Sequence, residues 1–556
     1  MRVLLINSNR FKQPWPVLPF GLGCVAAAVE QAGHEVRVLD LCFSRRPARD
    51  VAETIRNYRP DIVGIGIRNI DNCAGYRTQF LLDEIRREAI EPCRKAFDGP
   101  IVLGGAAVGI NAAEILEHFD MELAVRGDGE AAMVELIRRL EANEPLDGMP
   151  GLVRRVGGRT VENNEPMRVS RIDDLPLDRV YDHLDTAAYR HYDSPLQIQT
   201  KRGCALRCSY CTYNRIEGRS WRLRDPQRIA DDIERLVRQT GMAHIEFTDS
   251  TFNYPLDHSK AVLRAIIGRN LKLRLRTMGL NPGAVDDELA GLMVQAGFRD
   301  VDLGAESCCD RTLKGLGKNF RTADVLRAAR ILRAHGIAVM WCLLLGGPDE
   351  TEETVRETLD TAIGAAGPWD LIDIGIGLRV YNGAPIADRV RSTRPESAVG
   401  NFLFPTTYEG GALDVERLKA LVKDRALRET NVFMYDEDAR TPASFLKLGA
   451  WLFRLFAPNR PMWRWFILIR RTEKALGVLA LKRALYRRKR LREAAALPKI
   501  VVSSPNEREN DGIRKEPEEC PVGAQDAFSR KPGAPARANE RKTRKPLLPG
   551  SLPQSS

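Results

Sequence analysis

The chain has 556 residues, a formal charge of +11 and 11 cysteines, a length that allows more than one domain with substantial buried cores. So few cysteines in so long a chain exclude a secreted disulfide framework, no apolar run reaches the roughly twenty residues of a membrane span, and MRVLLIN enters a strand pattern with no leader before it. A reducing, cytoplasmic setting is expected, and the charge excess does not make the chain a nucleic-acid binder. Residues 451–500 hold fourteen Lys/Arg against Glu473 and Glu493, which accounts for all of the excess and leaves the rest near neutral.

The first 143 residues alternate strand and helix. RVLLIN (2–7) is a short apolar run of the buried parallel type, followed by a helix ending at Gly33 and by VRVLDL. A helix over 51–58, strand DIVGIGI, a helix over 80–97 and strand PIVLGG continue the alternation. This order predicts a doubly wound, Rossmann-like sheet, whose ligands bind beyond the carboxyl ends of the strands. Arg68 to Asn72 and Gly104 to Ala107 fall there, and glycines 104 and 105 let a backbone approach a ligand closely. A dinucleotide fingerprint after the first strand is missing.

Residues 144–195 mix Gly, Pro and charge around a hairpin, LVRRVGGRTVEN, and are expected to be a linker. KRGCALRCSYCTY then places Cys204, Cys208 and Cys211 in a C-x3-C-x2-C spacing, entered from the strand LQIQT. Three thiolates this close can hold three corners of a four-iron cluster and leave the fourth iron open. Structural zinc and unligated buried thiols are the alternatives, but zinc wants four ligands at paired spacings, and the nearest other cysteines are Cys93 and Cys308.

The spacing, the aromatic Tyr210 before the last cysteine and the preceding strand resemble the radical S-adenosylmethionine (SAM) enzymes. A Rossmann-like domain ahead of that motif, the opening PVLPFGLGCVAAAVEQAGHEV, and the Gly104–Gly105 strand end resemble the subfamily with a cobalamin (B12)-binding domain. The resemblance implies a [4Fe–4S] cluster on the three cysteines, SAM on the open iron and cobalamin in the N-terminal domain. The D-x-H-x-x-G pattern that supplies a histidine below cobalt is missing. Neither His34 nor His118 fits it, so Arg68 is the candidate to face that side. A domain that binds nothing, or a nucleotide, is the alternative.

From 196 to 390 the alternation resumes, implying a partial TIM-like (β/α)6 barrel with active residues at the strand ends. Asp249 and Asn253 follow the second strand, Arg276 and Thr277 the third, Glu306 the fourth, Gly346 and Gly347 the fifth, Arg379 and Tyr381 the sixth. By resemblance Asp249, Glu306, Gly346 and Gly347 contact SAM or substrate. Locally, Asp249 also reads as a helix cap, and Asp349 with Glu352 as a capping box. Cys308 and Cys309 read as packed thiols. Residues 391–500 read as helical and basic, with three readings open: a cap on the barrel, an interfacial helix on an anionic membrane (451–490), or RNA binding. Residues 501–556 are polar and Pro-rich and are expected to be disordered.

The function implied is a cobalamin-dependent radical SAM methyltransferase acting on an unactivated carbon of a small or lipid-like molecule, with an external ferredoxin- or flavodoxin-type electron donor. A cyclase or rearrangement enzyme using only the 5′-deoxyadenosyl radical, and a non-catalytic iron–sulfur or membrane-associated scaffold, are the alternatives.

Overall fold

The computed structural model describes residues 1–496 apart from 13–14, 75–77, 163–164, 410–412, 435–460 and 462. The expected tail and the segment between Met434 and Pro461 lie outside the described residues.

The N-terminal part is β1 (Arg2–Asn7), α1 (Phe20–Gln31), β2 (Glu35–Asp40), α2 (Pro47–Tyr58), β3 (Ile62–Gly66), α3 (Leu82–Ile85) joined through a π turn to α4 (Glu91–Ala96), β4 (Ile101–Gly104), α5 (Ala106–Phe119), β5 (Leu123–Val125) and α6 (Gly129–Glu141). The strands order as β2-β1-β3-β4-β5, all parallel. Leu4 and Ile6 pack on one face of the sheet and Val3 and Leu5 on the other. Burial on both faces is why these strands read as continuous apolar runs. The linker expectation for 144–195 is corrected in part. Its hairpin, β6 (Leu152–Val156) and β7 (Arg159–Glu162), extends this sheet antiparallel to β5, since Val153 supplies an apolar face that the sheet buries.

After α7 (Ala187–His191) come β8 (Leu196–Ile198), β9 (Lys201–Arg202), α8 (Tyr213–Ile216), β10 (Arg222–Leu223), α9 (Pro226–Thr240), β11 (His244–Phe247), α10 (Leu256–Gly268), β12 (Arg274–Thr277), α11 (Asp287–Ala296), β13 (Asp300–Glu306), α12 (Asp310–Gly315), α13 (Thr322–Ala334), β14 (Ala338–Leu345), α14 (Glu352–Ala365) and β15 (Leu371–Ile376). Parallel pairing runs β8-β11-β12 and β13-β14-β15, and the bridges Leu275–Phe298 and Leu280–Leu303 join the two arcs. Beyond β16 (Arg379–Val380), α15 (Pro385–Thr393), β17 (Thr406–Thr407) and α16 (Val415–Ala426), a further strand β18 (Val432–Met434) pairs parallel with β15. The arc therefore takes a seventh strand from a region expected to be helical. Three residues are too short to show a period. Then follow α17 (Trp463–Ala475) and α18 (Val478–Ala496).

The inside of the barrel is lined by polar, partly buried residues. Outward residues such as Val301, Leu303, Trp341, Leu343, Ile372 and Ile374 are buried under helices, while the alternating Asp300, Asp302, Glu306, Cys342 and Asp373 stay half-exposed. Alternation of this kind means a lined cavity rather than layers of packed side chains.

Candidate functional site

The cysteine loop, residues 203–221, is closed at its base by the antiparallel pair β9–β10, with Arg202 opposite Arg222. Gly203 has φ +93°, and a Cβ there would collide with the Ser220 carbonyl, so only glycine fits. The loop lies on its neighbours through main chain: Ser209 N–H donates to Leu316 O (2.9 Å) and Ile386 N–H to Ser209 O (2.8 Å). Cys204 is buried, and Cys208 and Cys211 half-buried. Burial pushes the Cys211 thiol up to about 11, and repulsion from Cys208 and Cys204 adds to it. Three thiols whose anionic forms would repel one another are a donor set that a cationic cluster would neutralise on binding. Among the described residues no three His, Cys, Asp or Glu are grouped as a single metal ion would need.

Beside the loop, Glu306 ends β13 at a register shift, with φ +58°. A non-glycine residue held in the left-handed region is strained, and such strain clusters at functional sites. Its Oε1 accepts from Tyr210 OH (2.8 Å) and from Lys318 Nζ (3.0 Å), and Lys318 also donates to Tyr210 (2.9 Å). Burial works against the charge on Lys318, but Glu306, Tyr210 and Cys208 outweigh it and hold its pKa well above the ordinary value. Sequence reasoning missed Lys318. It lies in a loop twelve residues beyond Glu306, where no motif marks it.

Other expected residues take different roles. Asp249 accepts from Thr200 N–H (2.8 Å), Thr200 Oγ1 (2.5 Å) and Lys201 Nζ (3.0 Å). With both oxygens so engaged it anchors the strand entering the loop and has no free acceptor aimed at a cofactor. Asn253 is likewise committed to the 281–284 turn. The N–H groups of Gly346 and Gly347 both donate to Glu350 Oε2 (2.5 and 3.2 Å). Burial pushes Glu350 up to about 7 against those donors. The expected capping box is corrected too. Thr351 caps α14 with Thr354, not Asp349 with Glu352, because Glu350 turns inward to the glycines. Cys308 and Cys309 are buried as packed thiols.

The N-terminal strand ends face the barrel. Arg68, exposed just beyond β3, lies within electrostatic reach of Tyr213 and of Glu246 on β11. Gly105, φ +103°, lets α5 start against β3, where a Cβ would sit 2.5 Å from Ile67 O, and Gly104 precedes it with looser surroundings. Asp71, fully buried, accepts from Arg379 (2.7 Å) and Tyr381 (2.9 Å) of the barrel. Trp15, after β1, stacks on Arg276 at 4.5 Å, and Arg276 pairs with Glu246 (2.9 Å) and Asp302 (3.2 Å) in the hollow. Burial raises the carboxyls of Glu246 and Asp302, and that of Asp300 to about 6. His34 precedes β2 beside the N-terminus, at the opposite end of the sheet from Arg68, and His118 ends α5 with its ring against Phe119 and Phe404.

Comparison with known proteins places two family models on the chain: a B12 binding domain over residues 12–137 and the radical SAM superfamily over 198–362. Tryptophan 2-C-methyltransferase of Streptomyces laurentii is 27% identical over 70% of this chain and 76% of its own length. Anaerobic magnesium-protoporphyrin IX monomethyl ester cyclase of Synechocystis is also 27% identical, over 61% and 67%. The structure of the methyltransferase TsrM from Kitasatospora setae, solved with cobalamin and a [4Fe–4S] cluster, superposes with TM-score 0.64 at 29% identity, covering 71% of this chain and 79% of that one. The cobalamin-dependent enzyme OxsB matches in fold alone, at 16% identity and TM-score 0.61 over 90% and 81%.

Proposed function

The chain belongs to the radical SAM enzymes that carry a B12-binding domain and use a [4Fe–4S] cluster, SAM and cobalamin, and from that premise we propose that it is a methyltransferase acting on a carbon of a small or lipid-like molecule. In this reading Cys204, Cys208 and Cys211 hold the cluster. Lys318 and Glu306 receive the carboxylate and ammonium of SAM's amino-acid end, since a fixed pair of opposite charges matches a zwitterion. The acceptor lies in the hollow lined by Glu246, Arg276, Asp302 and Cys342, closed from above by Trp15 and the Arg68 loop. Asp249, Gly346 and Gly347 shape the cofactor site from behind, through Thr200, Lys201 and Glu350. Gly104 and Gly105 keep the N-terminal strand ends low where the corrinoid passes.

When bound, cobalamin supplies a methyl carrier and the cluster a source of single electrons. The observation that carries methyl transfer is Arg68. It stands at the strand end facing the barrel, where its guanidinium would have no lone pair to offer cobalt, while His34 precedes β2 and His118 ends α5. A corrinoid held beside Arg68, with no nitrogen ligand from the protein, would be suited to hand on a methyl group. An external ferredoxin- or flavodoxin-type protein would supply electrons, in a cytoplasmic setting. Peripheral membrane contact, if made, falls to α18, which carries seven Lys/Arg and one Glu with Leu481 and Leu485 exposed. Of the segment 451–490 expected to make that contact, residues 451–460 lie outside the described residues and α17 is docked through Trp463 and Arg471 on 368–369. No described helix is long and apolar enough to cross a membrane.

The second reading is the cyclase, favoured by the relative named above. Anaerobically reconstituted protein distinguishes the two. A methyltransferase retains about one corrinoid and about four irons per chain after desalting and forms S-adenosylhomocysteine. A cyclase of the deoxyadenosyl type forms 5′-deoxyadenosine alone, and retention of no corrinoid with an intact cluster sinks the proposal.

A further inference from the structure

The mouth of the cysteine loop carries a pair of like charges, which the loop itself answers only through Glu217, whose carbonyl accepts from Arg222 at 2.9 Å. Arg202 and Arg222 stand directly opposite each other across the β9–β10 pair, and like charges so placed push two strands apart. The acids that pair with their side chains come from the N-terminal domain, Asp128 on the turn after β5 and Glu130 in the first turn of α6. Arg202 grips Glu130 with both terminal nitrogens (2.5 and 3.2 Å) and reaches Asp128 at 3.4 Å. Arg222 pairs with Asp128 and donates to Val169 O (2.6 Å). Asp128 also accepts from Val169 N–H at 2.7 Å. All four side chains are buried or nearly so, Asp128 and Glu130 at 4% exposure, so solvent does little to screen them.

The turn that brings these acids forward is built for close approach. Gly127 has φ +95°, and a Cβ there would collide with the Met167 carbonyl. On the other side, Gly203 N–H donates to Glu217 Oε2 (3.1 Å) and Cys204 N–H to Gly218 O (3.0 Å), so the loop closes two residues from the arginine that the N-terminal domain holds.

We propose that Asp128 and Glu130 are positioning residues for the cluster: the B12-binding domain supplies the counter-charge that closes the cysteine loop. Cluster retention then depends on a domain that contributes no cysteine to it. By linkage, whatever tightens that domain tightens the loop, and the reverse. The inference rests on the assignment of Cys204, Cys208 and Cys211 to the cluster. Wild-type protein that takes up no iron would end that assignment, whereas iron uptake indifferent to Glu130 ends only the clamp.

The test uses the full chain, reconstituted without oxygen. Glu130→Gln and Asp128→Asn should retain iron at least several-fold less well than wild type against a chelator. Amide exchange over residues 204–218 should rise, while β1 to β4 keep their protection. The charge-exchanged pair Glu130→Arg with Arg202→Glu should recover part of the loss, which repair of general stability alone would not do. Should the single variants fail to fold, wild type alone decides: hydroxocobalamin added to corrinoid-free protein should slow exchange over 204–218. Unchanged loop exchange and iron retention in folded variants, or loop exchange indifferent to hydroxocobalamin where no variant folds, overturns the proposal.

Discussion

Lys318→Met tests the SAM-binding part of the proposal at its most exposed point. The ammonium stands 3.0 Å from Glu306 Oε1 and 2.9 Å from Tyr210 OH, and its side chain is 8% exposed. If it also receives the SAM carboxylate, the variant loses one charge-assisted hydrogen bond, worth about 1.5–3 kcal/mol. At about 1.4 kcal/mol per decade, SAM should bind about 10- to 100-fold more weakly. Lys318→Arg should keep most of the affinity, because the charge remains and the fork suits a carboxylate. Equilibrium dialysis of SAM against reconstituted protein measures the loss. 5′-Methylthioadenosine, which lacks the amino-acid end, should bind wild type and variant alike. A SAM affinity within about three-fold of wild type, with iron content unchanged, would refute the assignment. Equal losses for both ligands would refute it too, showing Lys318 to be a support of the loop through Tyr210.

Asp71→Asn removes the negative charge opposite buried Arg379, and stranding one partner of a buried pair costs about 3–5 kcal/mol. Urea denaturation should show that loss and desalting a fall in corrinoid retention, because Asp71 ends the loop that carries Arg68. Glu350, at about 7 in the folded protein against an ordinary 4.5, binds its proton more tightly folded than unfolded. Its contribution to stability is therefore complete below about pH 4.5 and is lost as pH rises to about 7, by about 3 kcal/mol. Glu350→Gln should flatten that slope in thermal melts taken from pH 5 to 8. Full-length protein should float with vesicles of phosphatidylglycerol at low salt and be released as salt rises, and Leu481→Ser with Leu485→Ser should abolish flotation. Absence of flotation at low salt removes the membrane contact and, with it, the hint of a lipid-like acceptor.

Much of the fold is legible because its signals are local. Parallel strands covered on both faces must be continuously apolar, so RVLLIN and PIVLGG announce themselves, and the cysteine spacing is a statement about one short loop. What the sequence hides is made by residues far apart. Lys318, Glu306 and Tyr210 come from three segments and meet only because β13 ends at a register shift. A strand-end carboxylate such as Asp249 reads as a ligand until Thr200 and Lys201 are seen to occupy it. The glycines after β14 read as an open cradle until Glu350 turns into it. The same reasoning accounts for three arginines whose partners lie far off in sequence. Arg202, Arg379 and Arg276 look alike in sequence, yet each is buried against an acid or an aromatic ring from a distant segment: Glu130, Asp71 and Trp15. A buried arginine is tolerable only where such a partner arrives. The three pairs therefore fix how the N-terminal sheet is set on the barrel.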